Sequence, residues 1–328
     1  MKKTLPIIIT TIIILTLSVL SIFLSSPAFT DNQIGTFKIL LYICLGSALY
    51  CFIVGEIANN NSQMDKLWSI LPIIYTWVMA IRGGFKTRLV LYAIIATLWG
   101  IRLTFNFARK GAYSIKFWTG KEDYRWEILR KKKPLNNRFV WMVFDLFFIS
   151  IYQNAIVLAI CLPMLATMES NVAFNFIDMV AISSAVLFLL VEVVADEEQW
   201  VFQQKKKELL KSGKVLDELE SPYNLGFNTT GLWGHMRHPN YLGEQGIWLS
   251  LFIFVIASGE ASYGIFHITI IGPLFLVLLF LGSSTLSEAI SSKKYPKYKD
   301  YQDQVFKYLP VKKFKEPLDE NNENLKEA

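Results

Sequence analysis

The sequence predicts an all-α, polytopic integral membrane protein with about eight transmembrane helices and a cytoplasmic C-terminus. Three observations lead there. Of 328 residues, 53% are hydrophobic, and the mean hydropathy is +0.35. The apolar residues are gathered into blocks, not dispersed as in a soluble domain, and about 20 residues suffice to cross a bilayer. The basic residues cluster between those blocks in a pattern that alternates along the chain.

The blocks cover 5–25, 37–57, 67–82, 88–107, 139–166, 173–195, 245–258 and 263–286. The first follows Lys2 and Lys3 and precedes Ser26-Pro27-Ala28, so it reads either as a signal peptide or as a retained helix. Its apolar core exceeds the roughly 7–15 residues of a signal sequence, which favours retention. The 67–82 and 245–258 blocks are short for a full crossing. They are expected to tilt, to lie half-buried or to be extended by polar residues. The organisation expected is a helix within 1–30, a membrane domain over 37–310 whose half from about 173 onward is the cofactor-binding part, and a disordered polar tail over 311–328.

Charge sets the expected orientation. The 108–138 loop carries ten Lys/Arg, the 196–244 loop six and the segment after 287 nine, whereas 167–175 and 258–262 carry none. Eight spans place all three basic segments and the N-terminus on one side, which the positive-inside rule makes cytoplasmic. Arg82, Lys86 and Arg88 fall on the other side and dissent. Membrane topology accounts for the basic runs, so nucleic-acid binding has no support. No Walker loop and no Gly-x-Gly-x-x-Gly strand–helix unit is present, which excludes a Rossmann-type nucleotide site. Cys44, Cys51 and Cys161 lie within apolar blocks without metal or disulfide spacing. Nothing marks an obligatory protein partner.

The most informative stretch is 231–244, Gly-Leu-Trp-Gly-His-Met-Arg-His-Pro-Asn-Tyr-Leu-Gly-Glu, directly ahead of an apolar block. Arg237, His238, Asn240, Tyr241 and Glu244 bring two potential cations, an amide, a phenol and a carboxylate together. Beside a span such a cluster is costly to desolvate unless it binds something polar or anionic. A phosphate-bearing or zwitterionic cofactor is the expected guest. The plainer alternative for Arg237 and His238 is a basic patch under lipid headgroups. Asn240 and Glu244 argue against it, since a carboxylate repels anionic lipid. Tyr241 is either a stacking group or an interfacial anchor.

Glu192 and Asp196 share a helical face one turn apart, at the end of the 173–195 block. A carboxylate there needs partners. The alternative is a helix end emerging into water, which Glu197 and Glu198 support. No His lies near, so a metal site is not indicated. Arg102, Asn106 and Arg109 fall at i, i+4 and i+7 on one face. Arginine binds phosphate bidentately, and positive-inside anchoring is the alternative. Glu122, Asp123 and Arg125 read as a solvated charged loop or as a lid. His267 reads as a satisfied polar residue inside the last block.

Several segments in order resemble the steroid 5-alpha-reductase family, in its broad sense of membrane-embedded NADPH-dependent reductases. Towards the C-terminus these are Gly231-Leu232-Trp233 leading to Arg237-His238-Pro239-Asn240-Tyr241-Leu242-Gly243-Glu244, the Glu192–Asp196 pair, and Ser287-Glu288 continuing to Tyr295-Pro296-Lys297-Tyr298, Tyr301 and Leu309-Pro310. Upstream, Asp65-Lys66-Leu67-Trp68-Ser69-Ile70-Leu71-Pro72, Trp99-Gly100-Ile101-Arg102-Leu103 and Glu122-Asp123-Tyr124-Arg125-Trp126 resemble a poorly characterised branch of that superfamily. The resemblance covers about residues 60–310. It implies an NADPH cofactor held by Arg102, Asn106, Arg109, Glu192, Asp196, Arg237, His238, Asn240, Tyr241, Glu244 and Tyr298, facing the cytoplasm. It implies reduction of a carbon–carbon double bond in a lipophilic substrate drawn from the bilayer among the membrane lipids. Asp65 keeps that family's acid seven residues ahead of a proline, which helps orient an enone oxygen; an N-cap ahead of Leu67 is the alternative. The family's tyrosine, about three residues before the deep arginine, is replaced by Trp99, with Tyr75 or Tyr92 as substitutes.

The Arg-His-Pro-Asn-Tyr element also resembles membrane methyltransferases of the isoprenylcysteine carboxyl and phospholipid types, where it binds S-adenosylmethionine. The upstream elements favour the reductase. A transporter or lipid-binding scaffold is the third class, but no inverted halves are visible.

Overall fold

The computed structural model describes residues 28–262 and 264–315. The 5–25 block and the tail beyond 315 lie outside the described residues. Those described are helical, with no strand among them beyond an isolated bridge between Ser262 and Phe266. Six helical segments are long and apolar enough to cross a membrane, and a seventh, Leu71–Arg82, is apolar but shorter. The protein is a polytopic α-helical membrane protein. Its outward side chains say the same: Leu45, Leu49, Ile53 and Ile57 repeat every fourth residue and are all exposed. In water such a stripe is an aggregation liability, and in lipid it is the expected lining.

Two compact units are distinguished. One comprises the chain up to Val186 together with Ile247–Leu276, the other Leu187–Gly246 together with the chain from Val277.

In the first unit, α1 spans Asp31–Ala58. Thr30 opens it with a reciprocal capping box, in which Thr30 Oγ1 accepts from the Gln33 amide and Gln33 Oε1 accepts from the Thr30 amide. Asn59, left-handed at φ 50°, closes it. The expected 67–82 span is two pieces, a short α2 (Gln63–Leu67) and α3 (Leu71–Arg82). Pro72 lies in the first turn of α3 and has no N–H to continue a helix from Trp68, so the chain restarts there. α4 (Thr87–Ala108) returns antiparallel. Gly100 lets it approach closely, since a Cβ there would stand 2.5 Å from the Ser69 carbonyl oxygen. After α5 (Tyr124–Arg130), helix α6 (Arg138–Phe144) runs through a π-helical stretch, Asp145–Tyr152, into α7 (Gln153–Thr167).

α8 (Phe176–Lys211) is 36 residues long and passes well beyond the expected end near 195. Hydropathy falls there, but Glu, Gln and Lys are strong helix formers, and the helix ends only before Ser212 and the left-handed Gly213. Asp196 is therefore inside a helix, not at its emerging end. α9 (Pro239–Ala257) starts six residues earlier than the 245–258 block, with Pro239 preset for the first turn. α10 (Ile271–Lys294) and the short α11 (Tyr298–Gln304) follow. Among the first-unit positions, His267 is buried and caps the turn before α10, its Nδ1 2.9 Å from Thr269 Oγ1, a satisfied core histidine.

Candidate functional site

The second unit holds the 231–244 cluster. Two arms fix the loop ahead of α9. On the α8 side, Glu198 accepts from the Leu232 amide at 2.9 Å, and Trp233 Nε1 donates to the Ala195 carbonyl at 2.9 Å. On the C-terminal side, the Arg237 and His238 amides donate to the Phe306 and Lys307 carbonyls, each at 3.0 Å. The Tyr301 hydroxyl donates to the carbonyls of Trp233 and Met236. Tyr301 and Tyr298 are buried in an aromatic cluster with Leu225, Phe227, Val305 and Phe314. Tyr298, expected at the cofactor, sits 4.9 Å from the Phe227 ring, edge to face.

Gly231 shows how tightly this loop is held. It adopts φ +55°, and a Cβ would lie 2.0 Å from Glu198 Oε1. Gly231→Ala is expected to destabilise by about 1–2 kcal/mol from the left-handed backbone alone, and more from expelling Glu198. Thermal unfolding in detergent checks this. Gly231→Ala in a Glu198→Ala background should cost less than in wild type.

Arg237 and His238 converge on Glu288. Arg237 Nε donates to Glu288 Oε1 at 2.8 Å and Nη2 to Oε2 at 3.3 Å. Nη1 is taken by the Gln302 and Val305 carbonyls. His238 Nε2 lies 2.9 Å from Glu288 Oε1. Burial pushes the His238 imidazole below its ordinary range, although bonding to Glu288 pulls the other way. A neutral imidazole beside a committed guanidinium is a positioning device more than a phosphate clamp. Its ring stacks on Tyr241 at 5.1 Å, and Tyr241 meets Phe280 edge to face at 4.6 Å. Sequence reasoning passed over Glu288 as a partner, although Ser287-Glu288 stood among the quoted segments, because no spacing links positions fifty residues apart.

The first turns of α9 carry the rest. Asn240 Oδ1 is buried without a hydrogen-bond partner among the described residues. Glu244 is buried, as are Glu192 and Asp196 on α8. Gly243 brings the helices together, since its Cβ would meet Glu192 Cβ at 2.6 Å. A buried amide oxygen without a protein partner is met by water, an ion or a ligand. Amide and carboxylate acceptors together fit the amino, amide and hydroxyl groups of a nucleoside.

In the first unit, the two upstream segments meet. Trp126 Nε1 donates to Asp65 Oδ2 at 2.8 Å, and the Asp123 amide donates to Ser62 Oγ at 2.9 Å. The Asn61 amide donates to Glu122 Oε1 at 2.7 Å. Lys66, fully buried, donates to the Phe117 and Thr119 carbonyls at 2.9 and 2.7 Å. Glu122 and Asp123 are thus bound to the 60–66 segment, not left in a solvated loop. Asn60 through Gln63 were not singled out from sequence, and Lys66 stood only within the Asp65–Pro72 segment. A polar run between two apolar blocks looks like an ordinary loop until its burial is seen.

Asp65 lies inside α2, not at its cap. Burial raises its carboxyl above the usual carboxylate range and Asp123 adds to this, while Arg125, Ser62 and Trp126 oppose. Ionised Asp65 is therefore a cost to the fold, and its contribution to stability falls as pH rises above about 4, the unfolded value. Asp65→Asn is expected to leave the melting temperature at pH 7.5 unchanged or raised; a large drop there would contradict the assigned electrostatics.

Asn106 is buried and accepts from Arg109 Nε at 2.9 Å, as their shared face requires. Arg102 lies one turn earlier on α4, half-buried. Trp99 is fully buried, edge to face with Trp248 at 5.0 Å, so the tyrosine's place holds no hydroxyl. Tyr75 and Tyr92 are both fully buried, and the Tyr92 hydroxyl donates weakly to the Ile160 carbonyl at 3.4 Å. Among the described residues no group of three or more His, Cys, Asp or Glu could hold a metal.

Comparison with known proteins agrees with the span of these features. A protein of Schizosaccharomyces pombe described only as uncharacterised is 35% identical over 285 residues, covering 83% of this chain and 78% of its own. No solved structure matches. A family model described as a protein of unknown function, DUF1295, matches residues 51–305, from the end of α1 through α11, and the chain belongs to that family.

Proposed function

We propose that the protein is a membrane-embedded reductase that uses NADPH to reduce a carbon–carbon double bond of a lipophilic substrate. The observation that carries this is Asn240, whose buried side-chain oxygen is unsatisfied among buried acids at the start of a span. Asn240 Oδ1 would accept from the cofactor's amide or amino group. Glu192, Asp196 and Glu244 would accept from ribose hydroxyls, and Tyr241 would offer a ring face. Arg237, His238 and Glu288 would hold that wall in place. NADPH, when bound, supplies a hydride. In its protonated form, which burial favours, Asp65 would donate a hydrogen bond to the carbonyl conjugated with the double bond. Hydride addition to the far carbon of the double bond would leave an enolate, whose carbon next to the carbonyl takes one proton from water.

A second reading has its own support. The second-unit cations Arg237 and Lys206 are bound internally, while three buried carboxylates line α8 and α9. Such a wall suits the cationic sulfonium and ammonium of S-adenosylmethionine, and the reaction would then be methyl transfer.

Thermal unfolding with NADPH, NADH, S-adenosylmethionine and S-adenosylhomocysteine separates them. Ligand at 100 times its dissociation constant stabilises by roughly 2.7 kcal/mol. NADPH is expected to stabilise, and stabilisation by S-adenosylmethionine alone would transfer the assignment. Asn240→Leu is expected to keep or improve intrinsic stability, since it removes an unsatisfied buried acceptor, and to weaken NADPH about tenfold. Unchanged NADPH affinity in that variant would remove the assigned pocket.

A further inference from the structure

In the first unit, the chain passes from α6 to α7 through the π-helical stretch Asp145–Tyr152. Such stretches are rare and are frequent at functional sites. The wider turn decides which side chains share a face. At about 3.6 residues per turn, Ser150 would stand about 140° and Asn154 about 180° around the axis from Asp145. At about 4.4 residues per turn over 145–152, both come within about 60° of it. Three polar side chains in an apolar segment are thereby gathered on one face. Asp145 is 1% exposed, and Ser150 and Asn154 are 0% exposed.

Each has oxygen without a hydrogen-bond partner: both carboxylate oxygens of Asp145, Ser150 Oγ and Asn154 Oδ1. The serine departs from the habit of this chain. Thr36, Thr76, Thr97 and Ser184 each donate to the carbonyl four residues back at 2.7 Å, the usual way a helical hydroxyl is satisfied. Ser150 does not. The end of α1 faces these groups. Asn154 Nδ2 lies 3.8 Å from Cys51 Sγ, and Asp145 is within electrostatic range of the same thiol. Glu56 and Asn61 adjoin Asp145. Glu56 Oε2 accepts from Arg138 Nη2 at 2.5 Å, but its Oε1 is buried without a partner. Asn61 Nδ2, also unpartnered, can serve one of these oxygens. Arg130 is in electrostatic range of Asp145 too, but it is paired with Glu122 and lies over the Trp141 ring.

The character of these atoms selects the guest. A proton shared by Glu56 and Asp145 would close those two on each other. It would leave Asn154 Oδ1 unfilled, since no hydrogen bond joins it to Ser150. A cation ligated by oxygens would engage carboxylates, amide and hydroxyl alike. Two carboxylates with neutral oxygens are the donor set of a hard cation, not of a transition metal. Charge sets the valence: Glu56, Asp145 and Glu122 stand against Arg130 and Arg138, which leaves one negative charge to balance. The Arg138 side chain is 64% exposed and Glu56 14%, so Glu56 marks the rim by which an ion enters from water. We propose that Glu56, Asp145, Ser150 and Asn154 bind a monovalent metal cation of the sodium class. This site is independent of the proposed reductase activity.

The test uses the full chain purified in nonionic detergent, with thermal unfolding followed as sodium chloride replaces choline chloride at constant ionic strength and neutral pH. Sodium is expected to raise the melting temperature of wild type in a saturable manner. Asp145→Asn is expected to lose that response, and Ser150→Ala to weaken the apparent sodium affinity about tenfold. Glu127→Gln, an exposed carboxylate elsewhere, should respond like wild type. The readout is the difference between the two salts within one variant, so a change in intrinsic stability does not imitate it. Ser150→Ala carries the test alone should Asp145→Asn not fold. Equal melting temperatures of wild type in sodium and choline would overturn the proposal and leave the cluster to a proton or water. A wild-type response in both site variants would overturn the placement. Stabilisation by calcium chloride but not by sodium would overturn the valence.

Discussion

Replacing Glu288 with glutamine is expected to lower the free energy of unfolding by about 3–5 kcal/mol, the cost typical of breaking a buried pair from one side. Glu288 is the common acceptor for Arg237 at 2.8 Å, His238 at 2.9 Å and the Gln302 side-chain amide at 3.1 Å. The Arg237 and Glu288 side chains are only 12% and 8% exposed. Glutamine keeps the shape but leaves a guanidinium with no countercharge. It also presents an N–H where His238 and Arg237 both expect an oxygen. The double variant Arg237→Met/Glu288→Leu removes both charges and should recover much of the loss, because well-packed apolar replacements of a buried pair are often neutral. A melting temperature for Glu288→Gln within a degree of wild type would contradict the geometry. His238 adds a pH signature. With its imidazole held below the ordinary range by burial, the folded state resists protonation that the unfolded chain accepts. Stability is therefore present above about pH 6.5 and is lost as pH falls below it. Glu288→Gln removes the bond that favours the protonated form, so it should widen that acid-sensitive window downward.

How much of this was legible in the sequence depends on the range of the interaction that decided each feature. The spans were legible, because hydropathy is a local average: 37–57, 88–107 and 139–166 agree with α1, α4 and the α6–π–α7 rod to within a few residues, apart from the capped first turns of α1. The errors came where a local average meets a single residue with special backbone chemistry. Pro72 splits 67–82, Pro239 starts α9 early, and nothing in hydropathy stops α8 before Gly213. The clustering of Arg237, His238, Asn240, Tyr241 and Glu244 was legible because it is contiguous. Its division of labour was not. Whether Arg237 faces a ligand or Glu288 is a question of tertiary pairing. The same holds for Asp65, whose partner Trp126 lies sixty-one residues away. The two segments containing them were singled out separately, and the fold joins them through an indole–carboxylate bond. The electrostatic dissent of Arg82, Lys86 and Arg88 has the same origin. Arg82 donates to Thr36 Oγ1 at 2.7 Å, and Lys86 to the Met168 carbonyl at 2.9 Å. Arg88, whose charge the buried Asp178 neutralises, does not add to the loop charge, so a simple count overweights it, whereas the exposed Arg82 and half-buried Lys86 keep theirs.

Arg88 is the strongest case, and it carries the second large prediction. Asp178→Asn is expected to destabilise by about 3–5 kcal/mol, read as an earlier unfolding midpoint in mixed detergent micelles. Arg88 Nε and Nη2 bind Asp178 Oδ1 and Oδ2 at 2.6 and 2.8 Å, a bidentate pair whose side chains are 7% and 0% exposed. The remaining guanidinium N–H groups reach the Val172, Ala173 and Ala257 carbonyls at 3.2–3.4 Å. Asp178 in turn accepts from the Asn175 amide at 2.8 Å and sits in the first turn of α8, where a carboxylate complements the helix dipole. One ion pair therefore ties the start of α4, the 172–178 turn and the end of α9 within the first unit. Asparagine retains one acceptor but not the charge, so Arg88 stays buried with a weaker partner and cannot be lost by deprotonation, as a lysine could. Arg88→Lys separates charge from geometry: it keeps the cation and forfeits the fork. If charge alone held this corner, Arg88→Lys would match wild type. The bidentate geometry predicts instead that it falls between wild type and Asp178→Asn.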